Sequence, residues 1–291
     1  MNPIFRIIAL IGSIFASLVL LAGIAITGIN TPASLVGIGY GLAYIAVLLI
    51  ILRLTPFFPR GRGTWKAIIA CILWGGGVAV ALVMPAAEAI NEDTLRVGWT
   101  DALASWAGAY PEELTKAACA SFLLIAFPQF NRPWHGLVAG GLVGLGFETA
   151  ENYLYAANFA AYDPYSDMHG VNGMWLARTV IGPYMHVTWA ALSTFAIASA
   201  FYVADKSKKW RIGVAALGLF TSFCLHFTWN YSDSGRTLTE INGLPITVTF
   251  VRYAIVCIIM YGLLITVAAH TWRTAKKDRS YQMIYQPRVL V

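Results

Sequence analysis

Charge is scarce in this sequence. Asp, Glu, Lys and Arg make up 12% of its 291 residues, against 58% hydrophobic residues and a mean hydropathy of +0.65. That balance excludes an ordinary soluble domain, in which about a quarter of the residues are charged. Cysteine is scarcer still: Cys71, Cys119, Cys224 and Cys257 lie within apolar runs and none has CxxC spacing, so they read as small core residues and not as disulfides or zinc ligands. A GxSxG nucleophile elbow, an HExxH helix and a dinucleotide-binding glycine pattern are all missing. The net charge of +6 does not mark a nucleic-acid binder, because the basic residues sit in short segments between apolar runs and carry a topology signal instead.

What is abundant is long apolar sequence. Eight runs are candidates to cross the bilayer, at roughly 7–29, 33–54, 66–86, 111–127, 134–160, 176–203, 211–231 and 248–270. They predict an all-α, polytopic transmembrane bundle forming a single integral membrane domain over 1–291. The first run is too long for the apolar part of a signal peptide and is read as an uncleaved span. With eight spans, fifteen Lys and Arg residues fall on one side and only Arg96, Arg178, Arg236 and Arg252 on the other. The positive side is cytoplasmic, so both termini are expected there. The basic tail after Trp272 is expected to lie against anionic lipid heads.

Within these runs a few polar residues stand out. Gly146-Phe-Glu-Thr-Ala-Glu-Asn-Tyr-Leu-Tyr155 puts Glu148, Glu151 and Asn152 on one face of a helix, with Tyr155 one turn on. A charged side chain at membrane depth costs about 2.5–3.5 kcal/mol, so two on one face need a function or a buried cation such as Lys116 or Arg178. Glu112, Glu113 and Lys116 follow Pro111, where the acids also suit a helix N-terminus and Glu112–Lys116 an i,i+4 pair. His186 follows Pro183, which is expected to kink the sixth span. His226 and Asn230 share a face near the end of the seventh. On the eight-span topology, all four sets fall in the outer half of the bilayer.

Other segments read as structural. Gly136, Gly140 and Gly144 form overlapping GxxxG spacings that let a neighbouring helix approach closely. Residues 91–109 read as an interfacial segment, and 161–173, with Asp163, Asp167 and His169, as a solvated turn.

Carboxylates, two imidazoles and a carboxamide are the inventory for hydrolysing an amide with water. A glutamate takes the proton, a metal lowers the pKa of the water, and donors stabilise the oxyanion. Transporters and proton channels bury the same residue types, but they more often show repeated halves or paired broken helices, and no internal repeat is visible here. A catalytically inactive scaffold would also fit.

In this order the motifs resemble a family. Glu112-Glu-Leu-Thr-Lys116 matches an EExxK motif, Phe147-Glu-Thr-Ala-Glu-Asn-Tyr153 resembles an FExxEN box, and His186 and His226-x-x-Trp-Asn230 follow. The set resembles the PrsW family of intramembrane proteases, related to CAAX prenyl endopeptidases and bacteriocin-processing enzymes, over a four-helix core at 111–231. The resemblance implies a protease of the bacterial plasma membrane. Its substrates would be single-pass membrane proteins of the anti-sigma-factor kind, cut near the outer side, with no nucleic acid involved. It also implies that Glu112 and Glu113 are catalytic or metal-binding and that Glu148, Glu151, His186 and His226 complete the site. If Zn2+ is bound, His186, His226 and Glu148 or Glu151 are the expected ligands and Glu113 the base. Without metal, Glu112 or Glu113 activates water and His226 with Asn230 holds the oxyanion, while Lys116 and Asn152 belong to the catalytic set in either case.

Overall fold

A computed structural model describes residues 3–233, 235–241 and 244–278. The apolar runs become helices: α1 (Pro3–Ile26), α2 (Thr31–Arg53), α3 (Thr64–Leu73), α4 (Val80–Arg96), α5 (Tyr110–Ala126), α6 (His135–Ala161), α7 (Asp167–Val180), α8 (Met185–Tyr202), α9 (Lys208–Asn230) and α10 (Val248–Lys277). Their starts are set by side-chain caps that satisfy first-turn amides: Asn30 for α2, Ser166 for α7, Ser207 for α9 and Thr247 for α10. Among the described residues the one sheet is a hairpin of β1 (Thr237–Ile241) and β2 (Leu244–Thr247) ahead of α10. The dipeptide Asn242-Gly243 between two short runs is a hairpin signal in the sequence, and a reading built on long apolar runs passes over it.

Among the described residues, five helical stretches are long and apolar enough to cross a membrane: α1, α2, α3 through α4, α9 and α10. The pair α7 and α8, bent by 42°, makes a sixth if taken as one span. Ile7, Leu10, Ile14 and Leu18 on α1 and Ile258 and Ile265 on α10 are exposed, as lipid-facing side chains are. The 17-residue α5 and the carboxylate-bearing α6 do not meet that test of length and composition, and both pack inside the bundle. Every residue of α6 from His135 to Glu148 is buried.

Glycine lets α6 sit there. A Cβ on Gly136, Gly140 or Gly144 would come within 2.4, 2.1 and 2.2 Å of the carbonyl oxygens of Thr194, Ala190 and His186. Those three positions therefore seat α6 directly on the backbone of α8, as the GxxxG spacing leads one to expect. On another side, Trp74–Ala79 forms a six-residue π-helical turn between α3 and α4. Gly75 there lies so near Val143 that a Cβ would fall 1.9 Å from its carbonyl oxygen.

Three expectations about local structure are corrected. The span at 176–203 is not one kinked helix: it breaks at residues 181–184, where Gly182 (φ 72°) and Tyr184 (φ 56°) adopt left-handed backbone, a change of direction beyond what Pro183 alone would produce. The segment 161–173 is not a simple turn, because α7 begins inside it, with Ser166 Oγ accepting from His169 N at 3.1 Å and Asp167 accepting from Asn30 N at 2.7 Å. The segment 91–109 is not a separate interfacial piece. It begins as the end of α4, where Arg96 pairs with Glu92 and Asp93, and it closes with a π-helical turn, Ser105–Ala109, that runs straight into α5. Glu112 and Glu113 thus follow earlier helical residues and not a free helix end. Of the basic tail, Arg273, Lys276 and Lys277 are part of α10, while Arg279 and Arg288 lie outside the described residues.

Candidate active site

Helices α5, α6, α8 and α9 each deliver part of one buried cluster. From α5 come Glu112, Glu113 and Lys116, which are 6%, 1% and 0% exposed. The Lys116 ammonium lies 2.7 Å from Glu113 Oε1 and 3.5 Å from Glu112 Oε2. It also lies 2.8 Å from His186 Nδ1, in the first turn of α8. Phe147 and Trp189 cover the ammonium at 4.7 and 5.9 Å from their ring centres.

From α9, His226 Nδ1 lies 2.9 Å from Glu113 Oε1. That contact is a hydrogen bond donated by the imidazole to the carboxylate, which leaves Nε2 with its lone pair. Nε2 is 3.0 Å from Asn230 Nδ2 and 3.9 Å from Glu112 Oε2. Trp189 stacks on the His226 ring at 4.3 Å, and Ser222 Oγ donates to Trp189 O at 2.7 Å, tying α9 to α8. Asn230 reaches the cluster over Gly108, where a Cβ would stand 2.7 Å from its Nδ2. The two histidines meet with ring centres 5.1 Å apart.

The carboxylates of α6 have different surroundings. Glu148 faces Tyr44 of α2 and the start of α8. Its Oε1 accepts from Tyr44 OH at 2.6 Å, and its Oε2 accepts from the backbone amides of His186 and Val187 at 2.9 and 3.3 Å. It is the anion at the N-terminus of α8, where free amides and the helix dipole favour negative charge. Tyr44 OH in turn accepts from Tyr184 N at 2.6 Å, and the two tyrosine rings stack at 4.0 Å, which holds the left-handed Tyr184 in place. Glu151 Oε2 lies 3.0 Å from His186 Nε2 and accepts from Arg178 Nη2 at 2.6 Å. Asn152 Oδ1 accepts from Arg178 Nε at 2.6 Å. Arg178 also lies over the Tyr155 ring at 4.9 Å. The face of α6 marked by 148, 151, 152 and 155 is thus a single polar face. Tyr44 on α2 is the contributor that sequence reasoning missed, since an aromatic in an apolar run carries no polar signal.

Two features bear on chemistry. Ligand atoms of Glu112, His186 and His226 all lie within 4.8 Å of one another, a spacing able to hold a metal ion. Glu113 Oε2 is buried with no hydrogen-bond partner, an acceptor left open beside that set.

Residues 63–272 match the model of a family described as "PrsW family intramembrane metalloprotease". No curated protein and no solved structure matches the chain.

Proposed function

This chain belongs to the PrsW family of intramembrane proteases, and we propose that it hydrolyses a peptide bond of single-pass membrane proteins of the anti-sigma-factor kind in the bacterial plasma membrane. The observation that carries this reading is the open Oε2 of Glu113 next to the donors of Glu112, His186 and His226. In it Glu113 is the general base: Oε1 is held by Lys116 and His226, so the carboxylate is fixed in place while Oε2 takes a proton from the attacking water. Four of the five helices within 111–231, α5, α6, α8 and α9, supply the catalytic core, α7 adds Arg178 beside it, and the cut falls toward the outer side of the membrane.

The donor set fits a divalent cation such as Zn2+. Glu112 Oε2 is 3.5 Å from His186 Nδ1 and 3.9 Å from His226 Nε2. Two ligands about 2.0–2.1 Å from one tetrahedral ion stand roughly 3.4 Å apart, so these atoms, all within 4.8 Å of one another, would hold one ion by closing in once Lys116 Nζ and Asn230 Nδ2 leave the two imidazole nitrogens. Charge agrees, because four carboxylates (Glu112, Glu113, Glu148, Glu151) face two fixed cations, Lys116 and Arg178. When bound, the ion would lower the pKa of a water and polarise the scissile carbonyl. Glu112, His186 and His226 would hold it. In this reading Glu112 takes the ligand role expected from sequence of Glu148 or Glu151: the oxygens of Glu148 are committed to Tyr44 and the α8 amides, and Glu151 orients His186.

One contact favours a second, metal-free reading: the Lys116 ammonium already sits 2.8 Å from His186 Nδ1. There Lys116 is the cation of the cluster, Glu112 or Glu113 activates the water, and Asn230 donates to the oxyanion, joined by His226 when its Nε2 is protonated.

The test is a comparison of membrane proteomes from cells expressing the wild type or Glu113→Gln. Single-pass proteins truncated only with the wild type are expected, then cleavage of the same substrate by purified protein. A Glu113→Gln variant that still cleaves removes Glu113 as the base, and a wild type that truncates nothing makes the chain an inactive scaffold.

A further inference from the structure

We propose that a cleft between α1, α3 and the 127–129 turn, remote in sequence from the catalytic motifs, holds an anionic phospholipid whose headgroup carries a hydroxyl. The cleft measures about 680 Å3, within the usual range of ligand sites. Arg6, Arg62 and Lys66 line it, and Leu10, Ile69 and Leu73 supply apolar wall. No Asp or Glu lines it, and among the described residues none of the three cations has an acidic partner. Cationic and apolar linings together match a phosphate with an acyl chain attached, as basic pockets between membrane helices do.

Gln129 gives a second, independent pointer. It lines the same cleft at 8% exposure, donates through Nε2 to Arg62 O at 2.5 Å, and leaves Oε1 buried without a partner. A buried carboxamide oxygen asks for a donor. A phosphodiester offers none, so the donor belongs to the headgroup, and a glycerol-type hydroxyl supplies it without cancelling the negative charge. An adjoining cleft that shares Gly63 and Lys66 adds Arg53 and Arg60. Arg53 lies 5.1 Å over the Phe58 ring and 6.0 Å over Trp65, and Trp65 is itself 50% exposed, as aromatic residues at a membrane interface often are. This is the lysine- and arginine-rich end of the bundle, which faces the anionic cytoplasmic leaflet under the positive-inside rule. Residues 279–291 carry Arg279 and Arg288 and no acidic side chain.

The experiment uses the full chain in nonionic detergent. It is mixed with phosphatidylglycerol, phosphatidic acid, phosphatidylcholine or soluble glycerol phosphate, and retained lipid is read by native mass spectrometry beside the thermal midpoint. Phosphatidylglycerol is expected to be retained and to raise the midpoint, with phosphatidic acid weaker and phosphatidylcholine without effect. Arg62→Ala and Lys66→Ala should each weaken retention about fivefold, the worth of one cation at an anionic surface. Both side chains are exposed, so circular dichroism should be unchanged. Lys209→Ala, outside the cleft, should leave retention intact. An equal loss in Lys209→Ala, equal retention of phosphatidylcholine, or glycerol phosphate binding as tightly as the lipid would each overturn the proposal. The first means diffuse surface charge, the second general lipid adhesion, and the third a site for free phosphate alone.

Discussion

Lys116 Nζ stands 2.8 Å from His186 Nδ1, so the lysine occupies the lone pair that a metal ligand would use. Lysine and a divalent ion are therefore alternative partners of that nitrogen, and the ammonium must withdraw from it for an ion to enter.

Removing this cation leaves carboxylates buried without compensation. Lys116→Met is expected to destabilise the protein by about 3–5 kcal/mol and to abolish cleavage. Combined with Glu113→Gln, the loss of stability should be smaller than the sum of the two single variants. Thermal unfolding in detergent measures both, and strict additivity would mean that the 2.7 Å Lys116–Glu113 pair is not energetically coupled.

Metal content separates the two mechanisms. Elemental analysis of purified protein should find one divalent ion per chain, lost in Glu112→Gln and His226→Ala together with activity. Glu148→Gln should keep the ion but lower the thermal midpoint, because it weakens the acceptor of Tyr44 OH and two α8 amides. A chelator that leaves purified, active enzyme unaffected would decide for the metal-free reading.

Tyr44→Phe deletes one hydroxyl that both donates to Glu148 and accepts from Tyr184 N. The expected destabilisation is about 1.5–3 kcal/mol, the scale of a hydrogen bond to a charged group. A variant as stable as the wild type would show that α2 contributes nothing to holding the site.

Gly144 and Gly141 make a matched pair. A Cβ at Gly144 would lie 2.2 Å from His186 O, whereas at Gly141 its nearest neighbour is Val187 Cγ1 at 3.6 Å. Gly144→Ala should cost about 1–3 kcal/mol and reduce cleavage by displacing His186, while Gly141→Ala should be tolerated. Equal activity in both would break the link between helix seating and catalysis.

Topology is checked by labelling introduced cysteines in intact cells. A cysteine at position 206 should be protected from an impermeant reagent and one at position 164 should react. The reverse pattern would invert the assignment of both termini to the cytoplasm and move the cut to the inner side.

The helical architecture was legible because apolar runs can do little else in a membrane, and the polar cluster proposed as the site because carboxylates and imidazoles inside such runs are conspicuous. Which carboxylate does what was not legible. Glu112 and Glu148 are both glutamates in apolar helices, and only the approach of Tyr44 and the start of α8 distinguishes a helix cap from a candidate ligand. The α7–α8 break was half visible: Gly182-Pro183 is in the sequence, but the left-handed Tyr184 depends on a tyrosine 140 residues earlier. The π-helical turns have no composition of their own, and Trp74–Ala79 takes its form from packing against α1 and α6.

The polarity of α6 has a consequence for how the chain is made. Each carboxylate near the centre of a helix opposes transfer from the translocon into lipid by about 2.5–3.5 kcal/mol, and α6 carries two. The partners that offset this lie on both sides of it in synthesis: Tyr44 emerges earlier, whereas Arg178 and His186 emerge later. When α6 leaves the ribosome, Glu151 has neither its guanidinium nor its imidazole. The polar face of α6 is therefore satisfied only once α7 and α8 have been made and have packed against it.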